Sequence, residues 1–111
     1  MGISTHVLDT ARGKPAAGVP ITLEMFKLGE WLMLKSGVTD DDGRLKGLVE
    51  GLPVAGTYRI TFDTSAYFGT QSRRGFFPSV PIVFNIEEGQ GDHYHVPLLI
   101  SPFGYSTYRG S

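Results

Sequence analysis

The sequence predicts an all-β fold, a β-sandwich with Greek-key connections, and three observations support that prediction. Fifteen glycines and seven prolines in 111 residues cut the chain into short pieces, a punctuation that favours strands and turns over long helices. Within the pieces, apolar residues recur at every second position, the period of a half-buried strand. Seven or eight such runs follow one another at regular spacing with turn residues between them, the pattern of a sandwich.

Ile3 to Leu8 reads as the first strand, and "DTARGKPAAG" as a loop broken by Gly13, Pro15 and Gly18. In the second run, Val19, Ile21, Leu23 and Met25 share one face by the two-residue period. "LGE" turns into a third strand, Trp31 to Val38. Three aspartates before Gly43 would repel one another in a ladder but suit a turn, where their side chains take backbone N–H groups. Arg44 to Leu48 is a short strand, "EGLPVAG" turns, and "TYRITFD" puts Tyr58, Ile60 and Phe62 on one side. "TSAYFGTQSRR" is the one helix expected, two or three turns long and capped by Thr64. Val80 to Ile86, "HYHVPLLI" and "YSTYRG" complete the strands. Pro97 inside the penultimate run suggests an edge or a bulge. The chain shows no repeat and no linker, so a single domain over residues 1–111 is expected.

Composition removes several function classes. Ten Lys and Arg stand against eleven Asp and Glu, and Arg73-Arg74 is the only basic run. A nucleic-acid surface needs clustered positive charge, so no nucleic-acid partner is expected. No stretch is apolar for the ~20 residues that a bilayer requires, so no membrane association is expected. There is no cysteine, hence no disulfide framework and no thiolate chemistry. "MGISTHVLD" reads as neither transit nor signal peptide. The expected compartment is the cytoplasm; the periplasm or a peroxisome would require a presequence to have been removed.

The groups able to do chemistry are His6, His93 and His95, all in predicted strands. His93 and His95 are two apart and leave the same face. Together with His6 they could present three ring nitrogens to zinc, but sequence does not fix the third in space, no His-acid motif lies nearby, and no metal is assigned. "DDDG" lacks the twelve-residue loop and closing glutamate of a calcium site. Without metal, a neutral histidine can take a proton from water and return it later, and Arg44 or Arg109 could hold a developing oxyanion. No G-x-S-x-G elbow is present, so water would be the nucleophile. The same residues also suit a plain surface: Arg44 solvated after its turn, His95 bonded to backbone, Tyr108 packed on a rim. Pattern alone places a β-sandwich and leaves its chemistry open.

At these residues the chain resembles the hydrolase branch of the transthyretin-like family. "STHVLDTARGKPAAGVPITL", "TDDDGRL", "GTYRITFDTSAYF", "FFPSVPIVF" and "HYHVPLLISPFGYSTYRGS" carry the resemblance across nearly the whole chain. The terminal "YRGS" is its most specific part. The resemblance implies a transthyretin-like (prealbumin-like) sandwich of two four-stranded sheets with one short helix. It implies a homotetramer, a dimer of dimers with active sites at the dimer–dimer interface. It also implies hydrolysis of 5-hydroxyisourate in urate breakdown, with no cofactor. By the same resemblance His6, Arg44, His95 and Tyr108 are catalytic. Arg109, Gly110 and Ser111 bind substrate or anchor the tail. One of His6 and His95 activates water while the other holds or relays a proton. The carrier branch, which binds hormone in a central channel, is the alternative.

Overall fold

A computed structural model of the chain describes residues 2–49, 53–89, 91 and 93–110. In chain order the elements are β1 (Gly2–Asp9), β2 (Lys14–Pro15), β3 (Pro20–Lys27), β4 (Glu30–Val38), β5 (Arg44–Val49), β6 (Gly56–Phe62), α1 (Thr64–Gly69), β7 (Val80–Ile86), β8 (His93–Ser101) and β9 (Gly104–Thr107). They form two sheets, β4-β3-β6-β7 and β2-β1-β8-β9, with β5 also paired to β1. β5 pairs along Ile3 to His6 and β2 along Leu8 and Asp9. The second sheet therefore has five members but is four strands across: β2, only two residues long, shares one edge of β1 with β5.

Alternation builds the core. Ile3 and Val7 of β1, Ile21 and Leu23 of β3, Ile60 and Phe62 of β6, and Leu98 and Ile100 of β8 are all buried between the sheets. Burying side chains of this kind stabilises the fold by roughly 1.5–3 kcal/mol each. Val19 and Tyr58 join them as expected, and Met25 packs against the cluster. Among the described residues no helix is long and apolar enough to cross a membrane.

Three local expectations change. Asp63, not Thr64, caps α1: its Oδ1 accepts from the Ala66 amide at 3.0 Å. Thr64 is instead the first helical residue, buried and donating to the Phe77 carbonyl. The helix is six residues long, shorter than expected. Just beyond it Ser72 turns to φ +54, and Arg73 swings back to the Asp9 carboxylate. Pro97 lies neither at a sheet edge nor at a bulge, since β8 runs between β1 and β9 in unbroken register with β1. It sits one residue past the last β8–β9 pair, Leu98↔Thr107. Proline has no N–H to donate there, so β9 ends, and the Pro97 carbonyl accepts from Thr107 Oγ1 at 2.7 Å.

The aspartate turn forms as its composition demands. Asp40 Oδ1 accepts from the amides of Asp42 and Arg44, at 2.9 and 3.0 Å. Gly43 takes φ +75, and a Cβ there would lie 2.3 Å from the Val7 carbonyl oxygen. Its own carbonyl accepts from the Val7 amide at 2.7 Å. This close approach seats the start of β5 against β1. Gly43→Ala should therefore destabilise the protein by about 2–3 kcal/mol, from strained φ plus a backbone clash. Urea unfolding would check this, and a loss under about 0.5 kcal/mol, the range of ordinary surface substitutions, would show that the turn tolerates a side chain.

Candidate active site

The outward face of the β1-β8 sheet carries the chemistry. On β1 the alternation sends Ile3, Thr5 and Val7 inward and leaves Ser4 and His6 on the other face. On β8 it buries Tyr94 and Val96, leaving His93 and His95 outward. Pairing then sets the neighbours. His6 lies opposite Arg44 of β5, and Ser4 opposite His95 of β8. A sequence separation of about ninety residues thus becomes one strand spacing, about 4.8 Å. Ser4, Arg44, Lys46, His93 and His95 line an open depression of about 440 Å³ on this face. His6 flanks it beside Arg44.

The two histidines have different partners. His6 Nε2 lies 2.9 Å from the Asp42 carbonyl. A carbonyl only accepts, so His6 carries a hydrogen on Nε2, and its Nδ1 is the acceptor when the ring is neutral. His95 Nδ1 lies 2.9 Å from Ser4 Oγ, a group that both donates and accepts. Burial pushes His95 below the ordinary histidine range, and positive charge at His6, His93 and Arg44 pushes the same way. A hydrogen bond to the Ser4 backbone opposes them, without reversing the outcome. His95 is therefore a neutral imidazole at pH 7, able to accept a proton. His93 is more exposed and lies nearly parallel to it, with ring centroids 6.3 Å apart.

The tail returns to this region. β9 ends at Thr107, yet Gly110 pairs with His95 as an isolated antiparallel bridge, its amide donating to the His95 carbonyl at 2.8 Å. The bridge keeps the β8–β9 register. The ladder skips only Tyr108 and Arg109, opposite Pro97 and Val96, and resumes one step on. Only glycine fits this place without a shift, because a Cβ on residue 110 would lie 2.7 Å from His95 Cδ2. Tyr108 and Arg109 line a second, apolar depression of about 230 Å³ beside Phe84, Tyr94 and Val96. The Arg109 guanidinium sits 4.6 Å above the Tyr94 ring, a cation–π contact. Ser111 lies outside the described residues.

Of the residues singled out by sequence, His6, Arg44, His95 and Gly110 thus meet on one face, and Tyr108 and Arg109 occupy the adjoining edge. Sequence reasoning missed three contributors. Ser4 and Lys46 were within reach, since each lies two residues from a chosen residue and shares its face. The Asp42 carbonyl was not, because a backbone acceptor has no side-chain signature. Among the described residues no group of three or more His, Asp or Glu side chains is arranged to hold a metal ion.

Comparison with known proteins gives consistent results. The HIUase/Transthyretin family profile matches residues 3–110. A 5-hydroxyisourate hydrolase of Salmonella dublin is 48% identical over 110 residues, covering 98% of this chain and 80% of that one. The structure of a Klebsiella pneumoniae 5-hydroxyisourate hydrolase superposes with a TM-score of 0.87 at 39% identity, over 100% of both chains. Sea bream transthyretin, solved in complex with thyroxine, superposes with a TM-score of 0.92 at 33% identity, over 99% of this chain and 95% of that one.

Proposed function

The chain belongs to the HIUase/transthyretin family and is a hydrolase, and from that premise we propose that it opens the ring of 5-hydroxyisourate. The observation that carries this reading is the joint placement of His6, Arg44 and His95 on one open sheet face. Backbone shape does not choose between hydrolase and carrier, since the sea bream transthyretin superposes at least as well as the Klebsiella enzyme. The side chains favour the hydrolase. A hormone channel calls for apolar walls, whereas two imidazoles and a guanidinium suit a small, planar, polar substrate.

In the proposed reaction, water enters beside His95. His95 takes a proton as the water oxygen bonds to the C6 carbonyl carbon. Arg44 holds the oxygen that becomes negative in the tetrahedral intermediate. The intermediate collapses, the C6–N1 bond breaks, and the proton passes to N1, with His6 as the relay. The product is 2-oxo-4-hydroxy-4-carboxy-5-ureidoimidazoline. Tyr108 and Arg109 line the adjoining apolar depression, and Gly110 holds the tail to His95. The working unit is a homotetramer, a dimer of dimers. The open face fits this arrangement, because closure against a second dimer would exclude water from the developing charge.

The test uses fresh 5-hydroxyisourate made in place from urate by urate oxidase. The protein should speed the decay of its near-ultraviolet absorbance far beyond the spontaneous rate. Decay at the spontaneous rate, in a sample shown to be tetrameric, would return this face to a binding role.

A further inference from the structure

We propose that Ser4 is a positioning residue for the reaction: its hydroxyl accepts from the His95 ring at Nδ1, so that Nε2 faces the pocket as the proton acceptor. The inference rests on the hydrolase reading above. Ser4 and His95 are direct partners in the parallel β1–β8 pair, with Oγ and Nδ1 2.9 Å apart. The strand itself aims the hydroxyl, since Ile3 and Thr5 on either side are buried inward, which leaves Ser4 outward. It lines the same depression as His95 and Arg44.

A hydroxyl suits this task for a chemical reason. It accepts from an Nδ1–H in the neutral ring and equally in the cation. The hydrogen bond thus survives when Nε2 takes a proton, and the ring need not reorient during turnover. A carboxylate at position 4 would also fix the tautomer, but it would favour the imidazolium and leave less of the ring in the neutral, proton-accepting form near pH 7. The other groups around the depression, namely His6, His93, Arg44 and Lys46, are all cationic or able to become so; Arg44 and Lys46 only donate, and it is Ser4 Oγ that lies within hydrogen-bond distance of His95 Nδ1. Without the hydroxyl, histidine prefers the Nε2–H tautomer, which turns a hydrogen rather than a lone pair toward the water.

The experiment compares the full chain with Ser4→Ala and Ser4→Thr on 5-hydroxyisourate, alone and in a His95→Ala background. Nitrogen-15 NMR of the His95 ring supplies a readout that a purely structural role would not move. Ser4→Ala should lower kcat by about 10- to 100-fold, the loss typical of a partner that orients a histidine, with KM little changed. Ser4→Thr should recover most of that loss. The parent should show the Nδ1–H tautomer and Ser4→Ala a shift toward Nε2–H. In the His95→Ala background, Ser4→Ala should cost nothing further. Unchanged kcat and an unchanged tautomer in Ser4→Ala, with His95→Ala inactive, would overturn the role of Ser4 and leave the hydrolase reading intact. Full activity in His95→Ala would overturn the roles of both Ser4 and His95, whereas no acceleration by the parent protein would overturn the hydrolase reading.

Discussion

His95→Ala should lower kcat for 5-hydroxyisourate by about 10²–10⁴-fold, the usual contribution of a positioned general base, while the sandwich stays folded. The fold should survive because His95 points out of the core, between the buried Tyr94 and Val96. Its backbone, not its ring, makes the bridge to Gly110. His93→Ala is the control: same strand, same face, two residues away, more exposed, and not hydrogen-bonded to Ser4. It should be nearly silent. A pH profile adds a second check. Burial and the neighbouring positive charges hold His95 below the ordinary histidine value. A base must be neutral to work, so kcat/KM should rise with pH through a midpoint below about 6.5, the unperturbed value, and then level off. An acid limb centred above that value, or one unchanged in His95→Ala, would assign the titration to another group. Near-parental turnover in His95→Ala would remove it from the mechanism.

Much of the fold was legible because strand alternation is a local signal. Val19, Ile21 and Leu23, or Tyr58, Ile60 and Phe62, declare a buried face without reference to anything distant. The tail was legible only in part. "YSTYRG" reads as one strand, but whether its ladder continues depends on a proline thirteen residues upstream of Gly110. Only the pairing reveals that Pro97 interrupts β9 and that Gly110 resumes it. The site divides in the same way. His6, Arg44 and His95 stood out by residue type and by resemblance. Their adjacency is a consequence of β1 lying between β5 and β8, which no single segment encodes. The least legible feature was the link between Asp9 and Arg73. An aspartate in the first strand and an arginine after a helix give no hint of each other across sixty-four positions.

Removing that link should have the largest effect on stability. Asp9 has no solvent exposure, and its carboxylate accepts from Arg73 Nη2, from Tyr67 Oη at 2.8 Å and from the Arg12 amide at 3.1 Å. Burial alone would push this carboxyl up. The hydrogen bonds from Arg73 and Tyr67, the Arg12 amide and the Arg73 charge together outweigh burial and hold it below its ordinary value. Arg73→Met keeps an apolar stem against Phe68, over whose ring the guanidinium now lies at 4.9 Å, but leaves the carboxylate without its cation. Breaking a buried pair from one side costs about 3–5 kcal/mol. The lower end applies here, since the Arg73 side chain is 24% exposed. The pH dependence should also change sign. In the parent, the stability supplied by Asp9 is complete above the unfolded carboxyl value of about 3.9 and is lost as pH falls through the lower folded value. In Arg73→Met, burial prevails and raises the folded value, so this contribution shrinks as pH climbs from the unfolded value to the raised one. Urea unfolding between pH 3 and 7, at fixed protein concentration, separates the two slopes. Asp9→Asn added to Arg73→Met should restore stability, because it removes the stranded charge and keeps a hydrogen-bonding partner for Tyr67. A single variant with the parental slope and less than about 1 kcal/mol of loss, the level of an exposed ion pair, would place this contact among surface pairs. The expected loss would instead show that α1 and the segment after it are held to β1 through one buried carboxylate, three residues along the strand from His6.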